Sequence, residues 1–145
     1  MIRLGISRID KTLPLPRYAT PGSVAFDIYS RQDVRVAAGA IELIPTNLIV
    51  RVPAGHVLLL CSRSSTPLKK SLMTPHGLGI IDQDFRGPQD ELLVQVFNFG
   101  SKTVTVARNE RIAQALIVPM AKCEFFELPD PPPAGASRGG YGSTG

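Results

Sequence analysis

The residues best suited to chemistry lie in Gly79-Ile80-Ile81-Asp82-Gln83-Asp84-Phe85-Arg86-Gly87. A glycine and two isoleucines precede Asp82, so its carboxylate stands where an apolar strand emerges. A carboxylate so placed can take a proton from water and orient that water for attack. It can equally end a strand at a turn and do no chemistry. Asp84 and Arg86 are close enough in sequence for an ion pair, and Phe85 is either a core residue or a platform for a sugar ring. A second stretch, Arg138-Gly139-Gly140-Tyr141-Gly142-Ser143-Thr144-Gly145, holds one guanidinium, one ring, two hydroxyls and many bare amides. Composition alone reads it as a loose chain end. Together the two stretches suit one small ligand with a flat base and a polyphosphate.

Three weaker constellations accompany them. In Arg63-Ser64-Ser65 a strand gives way to a turn with consecutive amides, a cation and hydroxyls. Such a turn can cradle an anion, with arginine gripping phosphate oxygens in pairs, or it is a surface turn with a solvated arginine. Asp27 falls on the polar face of an alternating strand, where it either supports a magnesium–phosphate cluster or faces solvent. Gln114 interrupts the apolar run Ile112 to Val118. A buried glutamine needs hydrogen-bond partners, and a structural bond competes evenly with a ligand role.

The elements that must position these residues read as short strands. Ile2 to Ile9 is strand-like, and a connector Leu13-Pro14-Leu15-Pro16 and a turn at Pro21-Gly22 follow. Val24, Phe26 and Ile28 alternate with Ala25, Asp27 and Tyr29, which is strand periodicity. Val34 to Val36 is another strand. Ile41 to Val52 is strand-like but broken by Pro45, which rules out a central strand through that point. Pro53 to His56 is a turn, and Val57 to Cys61 a buried strand. Pro67 to Met73 is the one place for a turn or two of helix. Leu92 to Phe99 and Thr103 to Val106 are expected to pair as a hairpin across Gly100. Arg111 to Val118 forms a strand stopped by Pro119, and Lys122 to Glu127 a last short one. The expected fold is all-β, a jelly-roll-like sandwich or barrel, over residues 1–128. Residues 129–145 are expected to form a flexible Pro/Gly-rich arm. Pro131 to Pro133 favour polyproline geometry, so Pro129 to Arg138 would reach on the order of 28 Å, enough to lie over a neighbouring subunit.

Composition narrows the function classes. The 145 residues suit one domain with a real core. Thirteen prolines and thirteen glycines, spread throughout, disfavour long helices. The longest clear apolar run, Val57 to Cys61, is far too short to span a membrane, and no secretion signal is visible at the N-terminus. Cys61 and Cys123 lack zinc spacing and read as two buried reduced thiols. The net charge of +4 is scattered, with no basic stripe interleaved with aromatics, so stable nucleic-acid binding is not expected. A site for an anionic small molecule explains the excess.

In order along the chain, these pieces resemble the trimeric deoxyuridine triphosphate nucleotidohydrolases (dUTPases), a family with five short motifs. The counterparts are Pro21 to Ser30, Arg63-Ser64-Ser65, Gly79 to Gly87, Arg111-Ile112-Ala113-Gln114, and the glycine-rich stretch ending Gly142-Ser143-Thr144-Gly145. One such motif says little, but five in order are highly specific. The resemblance implies a jelly-roll homotrimer with a swapped C-terminal arm and interfacial sites built from three chains. It implies Mg²⁺-dependent hydrolysis of dUTP to dUMP and pyrophosphate, which limits uracil incorporation into DNA and supplies dUMP for thymidylate synthesis. By position, Asp82 matches the general base, and Phe85 the aromatic residue, usually tyrosine, that packs on deoxyribose. Gly79, Ile80 and Ile81 match the hairpin that reads the uracil edge. Arg63, Ser64, Ser65 and Gln114 match phosphate-side contacts. Tyr141 matches the ring that stacks on uracil, and Arg138 the arginine that meets the γ-phosphate, with Gly140, Gly142, Ser143 and Thr144 completing the closing segment. Asp27 matches the carboxylate that supports magnesium indirectly, through water, the ion being held mainly by substrate phosphates. The implied location is the cytoplasm, or the interior of a host cell for a viral protein.

Some positions depart from the family pattern. His76 falls where asparagine is usual at the uracil edge, and Ser62 where proline is usual before the arginine of the second motif. Fewer residues separate Arg138 from Tyr141, and Pro88 to Glu91 reads as a short insertion that widens a turn. Two other readings compete. The related dCTP deaminases need a glutamate shortly after the aromatic residue, where this chain has Arg86. A non-catalytic nucleotide-binding module would keep the fold but lose the base, the arginines or the C-terminal motif, all of which are present.

Overall fold

Proline and glycine punctuation cuts the chain into strands of two to nine residues. The computed structural model describes residues 2–131 and 135. In chain order the elements are β1 (Gly5–Arg8), β2 (Phe26–Tyr29), β3 (Val34–Val36), β4 (Ile41–Pro45), β5 (Leu48–Arg51), β6 (His56–Ser62), α1 (Ser65–Lys70), β7 (Leu72–Met73), β8 (Gly79–Ile81), β9 (Leu93–Asn98), β10 (Val104–Val106) and β11 (Arg111–Pro119). They form a four-stranded sheet β2-β11-β6-β8, a three-stranded sheet β4-β9-β7, and the pairs β1-β5 and β10-β3. All the recorded pairings between these strands are antiparallel. The inward residues of all four sheets meet in one core, with Ile28, Leu58 and Ala115 from the larger sheet against Ile44, Leu72 and Val94 from the smaller. Period-two burial along β2 and β9 produces that face, as the alternation in sequence requires.

Several details differ from the sequence expectation, each for a local reason. The hairpin between Leu92–Phe99 and Thr103–Val106 does not form. Both edges of β9 are taken, by β4 and β7, and β10 pairs with β3 instead. The fully buried Asn98 redirects the chain: its amide donates to the carbonyls of Val36 and Lys102, and its Oδ1 accepts from Gly100 N. Lys122–Glu127 is not a strand. The chain leaves β11 after Pro119, and residues 121–130 are all exposed, with Phe125 95% and Phe126 81% accessible. Val24 is outside β2 and exposed, while Phe26 sets its ring edge-on against Tyr18. Neither cysteine is fully buried: Cys61 is half-buried and Cys123 exposed, both as free thiols. Pro45 ends β4 and pairs opposite Leu93, so the break expected there separates two strands of different sheets.

Candidate active site

Three local devices place the candidate residues. The first is the turn from β7 into β8. Gly77 N donates to Thr74 O, Leu78 N donates to His76 O, and Gly77 has a φ of 76°, a left-handed backbone that suits glycine. His76 therefore sits exposed at the tip. Gly79 lies opposite Leu60 in the ladder, where a Cβ would stand 3.2 Å from the Leu60 Cβ. Close approach of the two strands needs the bare backbone. His76, Gly79, Ile80 and Ile81, with Leu60, Leu78 and Gln95, line a cavity of about 320 Å³, which is large enough for a planar base.

The second device is the end of β8. The strand stops at Ile81, and Asp82 follows at once, exposed and with no hydrogen-bond partner for its carboxylate among the described residues. Asp82 borders a larger, more polar cavity of about 850 Å³ with His56, Gln83, Asp84, Arg86 and Lys122. Phe85 is 40% exposed, so it is a surface ring available for contact and not a core residue. The expected Asp84–Arg86 ion pair is absent among the described residues. Only their backbones bond, Arg86 N donating to Asp84 O at 2.9 Å, and both side chains are exposed.

The third device is a β-bulge. In the pairing of β11 with β2 the register shifts between Arg111 and Ala113, and both Ile112 and Ala113 face the core. One extra residue re-aims everything beyond it. Arg111 and Gln114 thereby both come to the outer face beside Asp27, with Gln114 directly opposite it. The Asp27 carboxylate receives Arg63 Nε at 2.8 Å and Arg111 Nη1 at 3.2 Å. Its side chain is only 13% exposed, so the solvent-facing alternative does not hold. Gln114 Nε2 donates to Ser62 O at 3.1 Å, a structural bond that still leaves its carbonyl oxygen free to accept. Arg63 enters this cluster because α1 begins just after it: Thr66 N donates to Arg63 O, and Thr66 is buried under Ile112. Ser64 is the N-cap residue of α1 without a side-chain capping bond, and Ser65 is its first residue. Arg111 opens the Arg111–Gln114 motif, but its neighbours in sequence give it no site role. Only the register shift reveals its contact.

The residues thus fall into two groups. Asp27, Arg63, Arg111 and Gln114 gather at one edge of the four-stranded sheet, and His76 to Phe85 at the other. Asp27 and Asp82 are three interstrand steps apart across the sheet and about four residues apart along it, roughly 20 Å in all. Arg138, Gly140, Tyr141, Gly142, Ser143 and Thr144 lie outside the described residues. Among the described residues no three His, Cys, Asp or Glu side chains cluster as a metal cage. Asp27 fits a supporting role toward a cation carried by phosphates, since each of its oxygens keeps a second lone pair for water.

Comparison with known proteins identifies the family. A profile of the dUTPase family matches residues 11–145. A deoxyuridine 5'-triphosphate nucleotidohydrolase of Dictyoglomus turgidum is 38% identical over 149 residues, covering 100% of this chain and 99% of that protein. The crystal structure of a dUTPase from Streptococcus mutans superposes with a TM-score of 0.77 at 29% identity, covering 83% of this chain and 99% of its own. A dUTPase from phage phi11 of S. aureus, whose structure holds a structural Mg(II) ion, shares the fold at a TM-score of 0.79 and 21% identity, over 89% of this chain and 98% of that one. With a matched profile running from Lys11 to Gly145 and a jelly-roll fold common to these structures, the chain belongs to the dUTPase family.

Proposed function

We propose that this protein hydrolyses dUTP to dUMP and pyrophosphate, with Asp82 as the general base. One observation carries the reading: β8 delivers an exposed, unpartnered carboxylate directly beyond a cavity of base size. Uracil would enter that cavity against the backbone of Gly79 to Ile81, with His76 at its rim. Buried hydrogen-bond groups on a base edge discriminate far better than apolar shape does. Phe85 would pack on deoxyribose. Asp82 would take the proton of a water directed at the α-phosphorus. Arg63, Ser64, Ser65 and Gln114 would meet the phosphates, and the arginines would stabilise charge growing in the transition state. Magnesium, when bound to the triphosphate, would neutralise its charge, and Asp27 would support it through water. Arg138, Gly140, Tyr141, Gly142, Ser143 and Thr144 would close over the nucleotide and exclude solvent.

The working unit in this reading is a homotrimer. A separation of roughly 20 Å between Asp82 and the Asp27 cluster is too great for one triphosphate held by a single chain, so a neighbour would bring its own Arg63 and Gln114. Phe125, Phe126 and Leu128 are exposed on the segment after β11, as befits an arm that crosses to another subunit. No helix among the described residues is long and apolar enough to cross a membrane, and the proposed place of work is the cytoplasm, where nucleotides are made. A panel of dUTP, dTTP, dCTP and UTP with pyrophosphate detection, with and without magnesium, tests this. Release from dUTP that depends on magnesium is expected. Binding of dUTP without release would point to a sensor module, and ammonia from dCTP to a deaminase.

A further inference from the structure

We propose that Gln83 is a positioning residue for Asp82, an inference that rests on the reading of Asp82 as the base. The antiparallel ladder between β6 and β8 ends with Ile81 opposite Leu58. Continued by two residues, that register sets Gln83 against His56. There the Gln83 side-chain amide donates to the His56 backbone carbonyl at 3.0 Å. A side chain thus supplies a rung just past the end of the backbone ladder. Asp82 is held between the two, a backbone rung on one side and a side-chain rung on the other.

The far end of this rung is firm. His56 N donates to Pro53 O at 3.2 Å, its Nδ1 lies 2.9 Å from Ala54 O, and the residue pairs with Pro119 of β11. Met120 N, donating to Gly55 O at 2.9 Å, closes the same corner. The near end needs it, because the Asp82 carboxylate has no side-chain or backbone donor of its own among the described residues. Its aim is set by backbone alone, and Asp84 to Arg86 beyond Gln83 are exposed. Gln83 itself is half-buried while Asp82 and Asp84 are exposed, as expected for a side chain that folds back onto the sheet. The residue type follows from the task. Glutamate has the length but no donor, and asparagine has the donor but is one methylene shorter. Small displacements of a catalytic group are costly because attack needs a near-aligned geometry.

The test compares Gln83→Met, which keeps the length and removes the donor, with Gln83→Lys, which restores one. Amide hydrogen exchange, thermal midpoint and steady-state kinetics on dUTP are measured for each full-length variant. Gln83→Met should exchange faster at Asp82 to Asp84 and lose on the order of tenfold in kcat. Its KM should stay within about twofold and its Tm unchanged, since substrate contacts and core are untouched. Gln83→Lys should recover most of kcat. Unaltered exchange or undiminished kcat in Gln83→Met overturns the inference. So does an equal fall in both variants that tracks Tm. Asp82→Asn, run alongside, separates the two levels: if it still turns over normally, the reading of Asp82 itself fails. If it is inactive while Gln83→Met is not impaired, only the inference fails.

Discussion

The Asp82 carboxylate has no hydrogen-bond partner of its own among the described residues. No cation, hydroxyl or amide among the described residues occupies its oxygens. A free carboxylate beside a polar cavity can take a proton from water, whereas Asp27, its charge neutralised by Arg63 and Arg111, can only accept a hydrogen bond from one. Asp82→Asn should therefore bind dUTP and lose about 10²–10⁴-fold in kcat. Equilibrium binding beside pyrophosphate release reads the two separately, and near-normal release would remove Asp82 from the role. Asp82, Phe85 and Gly79 stood out in the sequence because strand, carboxylate, ring and glycine are adjacent there. Arg111 and Gln83 did not. Their importance comes from partners 84 and 27 residues away, which no local pattern announces.

Single contacts tie the strands and connecting segments into one frame. The Pro88–Glu91 insertion is more than a wider turn. Asp90 accepts from Gly87 N, and Glu91 reaches back to grip Arg31 in a two-pronged bridge at 2.8 and 3.0 Å while also accepting from Asn47 N. Hydrogen bonding to Glu91 raises the pKa of Arg31, so the guanidinium stays charged over any working pH. The bridge anchors the far end of the segment that begins at Asp82. Glu91→Gln should cost about 1–3 kcal/mol, seen as a lower urea midpoint at unchanged slope. Asp10 joins the same end of the barrel through Thr12, Arg108 and Asn47. Hydrogen bonds from Thr12 and Arg108 lower its pKa from 3.8 to about 2. A depressed carboxylate stabilises the fold above its unfolded pKa and loses that contribution as the folded group is protonated. Stability should thus fall between about pH 4 and 2, and Asp10→Asn should flatten that part of the profile. An identical acid limb in the variant would show that other carboxylates govern it.

At the level of the whole molecule, one chain carries two groups of candidate residues on opposite edges of a sheet. The proposed trimer would join them by bringing the Asp27 edge of one chain to the Asp82 edge of another. Sedimentation equilibrium should give three times the chain mass. Removing Arg138 to Gly145 should leave that mass unchanged and lower kcat for dUTP by about 10²-fold or more, through loss of γ-phosphate and base contacts in the closed state. Full activity of the truncated trimer would exclude a closing role for those residues.

Residue order alone determined the all-β class, most strand positions, the short helix found among the described residues and the membership of the dUTPase family. All of these are written in local signals: period-two alternation, proline and glycine punctuation, and adjacency of reactive side chains. Tertiary structure decided what depends on registers between distant segments. The bulge in β11 aims Arg111 and Gln114 at Asp27. Buried Asn98 sends β10 to β3 instead of β9. The exposed run from Met120 to Asp130 finds no strand partner among the described residues. Pairing partners are chosen by which edges remain open and which polar groups must be satisfied once the core has closed, and neither condition exists until the chain has folded.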